Sequence, residues 1–240
     1  MKKVRIWTPE SDTDSRAVQC LAKKIVKLFN IEILITTASK SAYISAARTD
    51  DGLGKAVSFY LKQDDFVIFL LDYDGIQSHA ARGMEPNSHI NKITAVVNQA
   101  PEKTMLLYMC QELEAWLLID CLGICCYFKN DKNEIIRDDQ DWIKFAKRNQ
   151  KGETDLIIEV ERGGDNAKEY LMEFSHKIIK KINPQIKRKD VDQKEYKENM
   201  SDRVAEFILI NQEVLKRNDS LKKFADLLCE IAQTTEEKPQ

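Results

Sequence analysis

The run Phe66-Val67-Ile68-Phe69-Leu70-Leu71 constrains the fold more than any other segment. It is apolar on both faces, which is the pattern of a central strand in a parallel sheet covered on both sides. It stops abruptly at Asp72-Tyr73-Asp74-Gly75. Around it, strand and helix patterns alternate. Residues 3–8 and 31–36 read as strands, and residues 104–110 as another buried strand. In residues 15–29, Val18, Leu21, Ala22, Ile25, Val26 and Phe29 recur at spacings of three and four, one face of an amphipathic helix. A polar turn with capping residues, 9–14, precedes it. Helices are expected over 53–63, 88–99 and 111–122. This alternation predicts an α/β fold, an open and mainly parallel sheet flanked by helices.

After residue 123 the pattern changes. Residues 127–141 are charged and read as irregular, a hairpin or an insertion. From residue 165 the chain reads as mostly helical, with segments 168–182, 201–214 and 220–233. The expected organisation is an α/β core over 1–125, an irregular connection over 126–164, a helical C-terminal part over 165–233 and a flexible tail over 234–240.

Composition bounds the function classes. Of 240 residues, 43% are hydrophobic and 32% charged, a globular balance and not a disordered one. The net charge of -2 removes bulk electrostatics as an argument for nucleic acid, but leaves a local basic patch open. No apolar run approaches the roughly 20 residues of a membrane helix. The N-terminus lacks a signal-peptide apolar core, so no membrane association and a cytoplasmic location are expected. The cluster Cys121-x3-Cys125-Cys126 has no matching second pair of ligands for zinc. It reads as small apolar filling of a core, with all cysteines reduced.

In open parallel sheets, functional groups gather beyond the carboxyl ends of the strands. Three such ends carry acids: Glu10 after the first strand, Asp72 and Asp74 after the central one, Glu112 and Glu114 after the strand at 104–110. Converging carboxylates repel unless a cation joins them, and oxygen-only ligands select Mg²⁺ or Mn²⁺. The bland alternatives are a solvated turn acid at Glu10 and helix-start acids at 112 and 114 that favour the macrodipole.

These residues resemble a known family. Glu10-Ser11-Asp12-Thr13-Asp14 resembles the Glu-Gly-x-Thr-Asp/Glu opening of TOPRIM domains, with Ser11 standing in place of the usual Gly and Pro9 before the glutamate. Asp72-Tyr73-Asp74 resembles the second TOPRIM motif. Glu112-Leu113-Glu114-Ala115-Trp116-Leu117-Leu118-Ile119-Asp120 is similar to the Glu-x-Glu-Ser/Ala-Trp-Leu-Leu-x-Asp signature of a bacterial branch of stand-alone TOPRIM-like proteins, often associated with an ATPase. Weaker similarities lie at Asp165-Asn166-Ala167-Lys168-Glu169-Tyr170-Leu171 and at Tyr196-Lys197. The resemblance implies a TOPRIM-like fold and a metal-dependent nuclease acting on DNA or RNA in anti-phage defence, with an ATPase partner. It implies that Glu10, Asp72 and Asp74 hold one Mg²⁺ or Mn²⁺, with Glu112 or Glu114 on the same ion or a second one. Lys168 or Lys197 would offset charge on the phosphate. The oligomeric state is left open, a homo-oligomer included.

Two further functions compete. One is a TOPRIM-shaped binding or regulatory subunit of an ATPase complex with little catalysis of its own. The other is phosphoryl transfer with Asp72 as nucleophile, as in haloacid-dehalogenase-like proteins. That last chemistry calls for the Asp-x-Asp on the first strand, and here it lies on a later one. A phosphate-loop reading of Gly54-Lys55 fails, because Thr49 and Ala56 stand where the first Gly and the Ser/Thr belong. His79 and His89 read as polar surface residues. The basic segments Lys177 to Lys181 and Lys187-Arg188-Lys189 fit a solvated helix face as well as a phosphate track. Trp7, Trp116 and Trp142 read as packing residues. One conflict is left for the structure. A helix running from Gln111 would turn Glu114 roughly 200° from Glu112, whereas an extended start would put both on one side. The resemblance favours the extended start, with Trp116 and Leu117 packed on the sheet.

Overall fold

A computed structural model describes residues 1–73, 80–81, 83–110, 112–149 and 167–234. Asp74, His79, Gln111, Asp165 and Asn166 lie outside the described residues. The sheet has four parallel strands, β1 (Lys2–Trp7), β2 (Ile33–Ala38), β3 (Phe66–Tyr73) and β4 (Thr104–Cys110), in the order β2-β1-β3-β4. The chain leaves β1 for β2 on one side and later returns to lay β3 on the other. The carboxyl ends of β1 and β3 therefore flank the topological switch point of the sheet, where open α/β sheets form their crevice.

Strand alternation divides the core in two. Phe66, Ile68 and Leu70 face one side with Val4 and Ile6. Val67, Phe69 and Leu71 face the other with Trp7. The second face is covered by α2 (Lys40–Ala46), α3 (Gly52–Tyr60) and α4 (His89–Gln99). The first is covered by α1 (Asp12–Leu28) and by the helices after β4. These are α5 (Glu112–Leu117), α6 (Cys121–Lys129), α7 (Gln140–Asn149), α8 (Ala167–Ile182), α9 (Arg188–Lys194), α10 (Ser201–Phe207), α11 (Gln212–Leu215) and α12 (Asp219–Gln233). Cys121, Cys125 and Cys126 are buried in this layer, and burial pushes the Cys121 thiol up to about 12 and Cys126 to about 11.

The expected helix over 111–122 is broken. Asp120 leaves helical geometry (φ −130°, ψ 79°) and its carboxylate accepts the Gly123 amide at 3.0 Å, starting α6 anew. Likewise the expected helix over 201–214 divides: Ile208 is extended, and the Asn211 side chain accepts the Val214 amide at 2.8 Å to begin α11. In both places a side-chain oxygen competes with the backbone for its own N–H groups. Helix α6 runs on to Lys129 and α7 begins at Gln140, so much of 127–141 is helical or packed, with Ile136 buried.

Asp120 does more than cap. Its Oδ2 accepts Arg137 Nη2 at 2.8 Å and the Leu209 amide at 2.7 Å, and Arg137 also donates to the Phe207 carbonyl at 2.7 Å. A Cβ on Gly123 would stand 2.5 Å from that same carbonyl, so only glycine allows this approach. Truncating Asp120 takes the acceptor from the Gly123 and Leu209 amides and leaves Arg137 to its remaining pair with Glu134. Asp120→Ala should therefore lower stability by roughly 3 kcal/mol in urea unfolding, while Glu213→Ala, whose ion pair with Lys216 is largely exposed, should change it by less than about 1 kcal/mol.

Candidate metal centre

The turn after β1 is built to present Glu10. Ser11 is the N-cap of α1, extended at φ −152°, and its hydroxyl accepts the Thr13 and Asp14 amides at 3.1 and 3.2 Å. That conformation suits any residue, so serine stands here without strain and adds a cap. Lys40 Nζ donates to the Glu10 backbone carbonyl at 2.6 Å, and the Asp12 carboxylate accepts the Lys40 amide at 2.7 Å. Asp12 is thereby committed to the β2–α2 connection, and Asp14 turns inward.

At the switch point, Glu10 meets Asp72. Their side chains share a hydrogen bond, and the Asp72 Oδ1 atom is shut off from solvent with no partner among the described residues. Burial, then the Glu10 contact, then the charges of Asp14 and Glu112 push the Asp72 carboxyl well above its ordinary range. A cavity of about 220 Å³ is lined by Glu10, Asp14, Asp72, Glu112, Glu114 and Glu198. On the other side, Glu10 and Asp72 also line a cavity of about 360 Å³ with Ser88 and His89 at the start of α4.

Both Glu112 and Glu114 line the smaller cavity, by a route other than an extended start. Glu112 sits at φ 70°, in the left-handed region. There a non-glycine residue is uncommon and costs of order 1–3 kcal/mol. That one residue swings the chain from β4 into α5 and lets acids two apart reach one rim. Trp116 is fully buried, and it packs against the last helix as well as the core. It stacks on Phe224 (centroids 5.4 Å apart, 22° between planes) and donates to Ser220 Oγ at 2.8 Å.

The helical C-terminal part closes the rim. Tyr196, 2% exposed, donates its hydroxyl to Glu114 Oε1 at 2.8 Å, and Ser201 donates to Asp14 Oδ1 at 3.3 Å. The segment bearing Tyr196 is clamped by its amide donating to Ser175 Oγ at 2.8 Å and by the contact of His176 with Glu195. Burial lifts Glu114 to about 7 despite the Tyr196 bond, and burial also raises Asp14. Lys168 pairs with Glu198, and Lys197 is exposed; neither lines the cavity. Asp14, Tyr196 and Glu198 are site residues that sequence reasoning missed. Asp14 was within the quoted opening motif. Tyr196 and Glu198 carry no spacing signal, because they arrive from more than 80 residues away.

The set fits a hard cation. All donors are oxygen, and the buried Asp72 Oδ1 lacks a partner among the described residues. The fit is to an ion held by few protein ligands. Among the described residues, the group whose ligand atoms all lie within 4.8 Å of one another is His176, Asp192 and Glu195, which belongs to the clamp above. Glu10 and Asp72 thus form a pair and not a closed cage, and Mg²⁺ characteristically binds through one or two carboxylates and keeps its waters. A larger cavity of about 1090 Å³ lies between α6, α8, α9 and α10, away from these acids.

The fold and the crevice define an open parallel α/β protein with an acid-lined switch point. The sequence profile described as Domain of unknown function (DUF4276) matches residues 10–140, and the chain belongs to that family. No curated protein and no solved structure matches. The matched span holds Glu10, Asp72, Glu112, Glu114 and Asp120, whereas Lys168, Tyr196 and Glu198 fall outside it. Among the described residues, no helix is long and apolar enough to cross a membrane.

The raised carboxyls fix a pH dependence. From the ordinary carboxyl range up to about 7, the folded chain holds a proton at Glu114 that the unfolded chain has released, so stability falls as pH rises through that window. Metal-free protein should melt lower at about pH 8 than at about pH 5.5, Glu114 alone contributing on the order of 2 kcal/mol. Glu114→Gln should flatten that slope in calorimetry.

Proposed function

We propose that this protein is a metal-dependent nuclease that cleaves phosphodiester bonds in DNA or RNA. The observation that carries this reading is the contact of two carboxyl groups, Glu10 and Asp72, at the switch point, with the buried Asp72 Oδ1 left unpartnered. Glu10 and Asp72 would hold Mg²⁺ or Mn²⁺. Glu112 and Glu114 extend the acidic wall, and the TOPRIM resemblance adds Asp74 to the ligands. The chemistry such a cation would supply is Lewis-acid polarisation of the phosphodiester and activation of water. The chain's own groups supply the rest. Tyr196 fixes Glu114, the φ 70° hinge at Glu112 aims both acids, and Glu114 Oε1 and Oε2 can hold a proton near neutral pH. Lys168 pairs with Glu198, and Lys197 precedes Glu198 in the chain; the resemblance gives these two lysines the task of offsetting charge on the phosphate.

The same resemblance suggests an effector in bacterial anti-phage defence, acting on nucleic acid with an ATPase partner. The second function, a regulatory subunit of such a complex, is favoured by one feature. Protonation and the Tyr196 bond let this acidic wall stand without a cation, so the shape is maintained even if catalysis is weak.

Purified protein should cleave plasmid DNA or RNA with Mg²⁺ or Mn²⁺ and stop when EDTA is added. Asp72→Asn should reduce cleavage to background and remove the rise in melting temperature that Mn²⁺ gives the wild type. Without metal at about pH 8, the same variant should be as stable as wild type or more so by roughly 1 kcal/mol, because a crowded charge is gone. Metal-independent cleavage, or an unchanged Mn²⁺ response in Asp72→Asn, would sink this function.

A further inference from the structure

We infer that the groove between α6, α8, α9 and α10 binds single-stranded nucleic acid, with bases on its apolar and aromatic floor and phosphates along a basic rim. As the substrate class of the nuclease, this rests on the reading above. As a binding site, it stands on the groove alone.

The groove measures about 1090 Å³, at the upper end of ordinary ligand pockets. One wall comes from the most basic stretch of the chain. Residues 177–189 carry six cations and no acid, in a chain of net charge -2. Within that stretch Ile179, Ile182 and Ile186 line the groove, and Ile182 is still 43% exposed. Two of the cations have a structural task. Lys180 and Lys181 suit the C-terminal turn of α8, and Lys181 also lies over the rings of Trp142 and Phe145. Lys187, Arg188 and Lys189 have none. They are exposed at the start of α9, where the macrodipole disfavours positive charge.

The other walls repeat the pattern. Lys132, Lys194 and Arg203 line the groove and are exposed, and no ion pair engages them among the described residues. Of the two acids in the lining, Glu134 is held by Arg137, which leaves Glu206. Unpaired cations thus outnumber the unpaired acid, and the complementary occupant is an anion.

The floor narrows the class of anion. Tyr127 is half-buried, with its ring edge-on to Phe128 at 5.1 Å and to Phe207 at 5.9 Å. The charge of Arg203 reaches the Tyr127 phenol. Rings beside cations, in a groove that tracks a backbone, are how sequence-tolerant proteins hold single strands. The exposed amides of Asn130 and Gln193 add donors and acceptors for base edges. A duplex keeps its base faces stacked and leaves such a floor unused, and an acidic peptide has no use for it as a stacking platform. The start of α10 joins this groove to the acidic wall, since Glu198 lines the acid cavity and Met200 the groove.

Fluorescence anisotropy in EDTA tests this without cleavage. The probes are labelled oligothymidylate, oligouridylate and a mixed-sequence duplex, each of about 12 nucleotides per strand. Both single strands should bind at least about tenfold more tightly than the duplex. Their affinity should fall with salt at a log–log slope near about −2, from three cations at roughly 0.7 each. Lys132→Gln with Lys194→Gln should cut that slope by more than half. Tyr127→Leu, which keeps an apolar side chain, should weaken both strands about tenfold, the loss of one stacked base. Ile182→Glu, at an exposed position, should abolish binding with the melting temperature unchanged. Lys216→Gln with Lys222→Gln removes two cations from exposed ion pairs outside the groove and should leave affinity at the wild-type value. An equal loss in that control, or wild-type affinity in Ile182→Glu, would overturn the groove. Duplex binding as tight as single-strand binding would overturn the single-strand class, and polyglutamate competing as well as the oligonucleotides would make this a seat for acidic peptide instead. Binding in EDTA by a wild type that never cleaves would leave the groove standing and remove the nuclease reading. Metal-dependent cleavage with no effect of the groove variants on binding would do the reverse.

Discussion

Charge crowding at the end of β3 is the constraint to which the surrounding structure answers. Asp72 continues a strand whose preceding residues are buried on both faces, so its carboxyl emerges where little water reaches. Its neighbour is another acid, Glu10, and Asp14 and Glu112 add further negative charge. Burial and repulsion act in the same direction, toward taking up protons. The start of α1 offsets part of this cost, since a helix N-terminus favours nearby negative charge. The C-terminal helices supply the remaining donors through Tyr196 and Ser201.

That dependence explains why the C-terminal part is fastened so firmly to α1. Lys24 Nζ donates to the carbonyls of Ala205, Glu206 and Ile208 at 2.6–2.9 Å, satisfying the last turn of α10. Arg16 reaches Asp202 at 2.7 Å. These bonds fix the segment 196–201 over the acidic wall, so two parts of the chain distant in sequence form one site. Within the motif at 112–120, the labour divides by position. Glu112 and Glu114 line the cavity, Trp116 binds the last helix, and Asp120 ties α6 to Arg137 and Leu209.

The sheet was legible because its signal is local. The two-sided apolar run at 66–71 could only be a covered parallel strand, and the period of three and four in α1 needed no tertiary information. The acids at the strand ends were legible for the same topological reason, with Glu10, Asp72, Glu112 and Glu114 found where chain direction must place them. The helix breaks at Asp120 and at 208–211 were not, because apolar periodicity continues through them and the deciding bonds run from side chain to backbone. The φ 70° hinge at Glu112 was hidden too, since nothing in a glutamate announces a left-handed backbone. Tyr196 was visible only as a faint similarity, because its partner Glu114 is 82 residues away.

Elsewhere this chain handles buried acids differently, and the contrast bears on what the acidic wall is for. Asp64, 6% exposed, is met by Arg5 Nε at 2.6 Å, and the same guanidinium lies 4.3 Å from the Tyr60 ring. Asp120, 8% exposed, is met by Arg137 at 2.8 Å. Both are acids neutralised in place by arginine, as structural carboxylates are. Around Asp72 the named neighbours are acids, and the nearby Lys40 spends its ammonium on the Glu10 carbonyl. A fold able to supply guanidinium partners at two buried carboxylates supplies none to Asp72 among the described residues. Such an arrangement is costly for a purely structural cluster, and it is what the cation site proposed above would require.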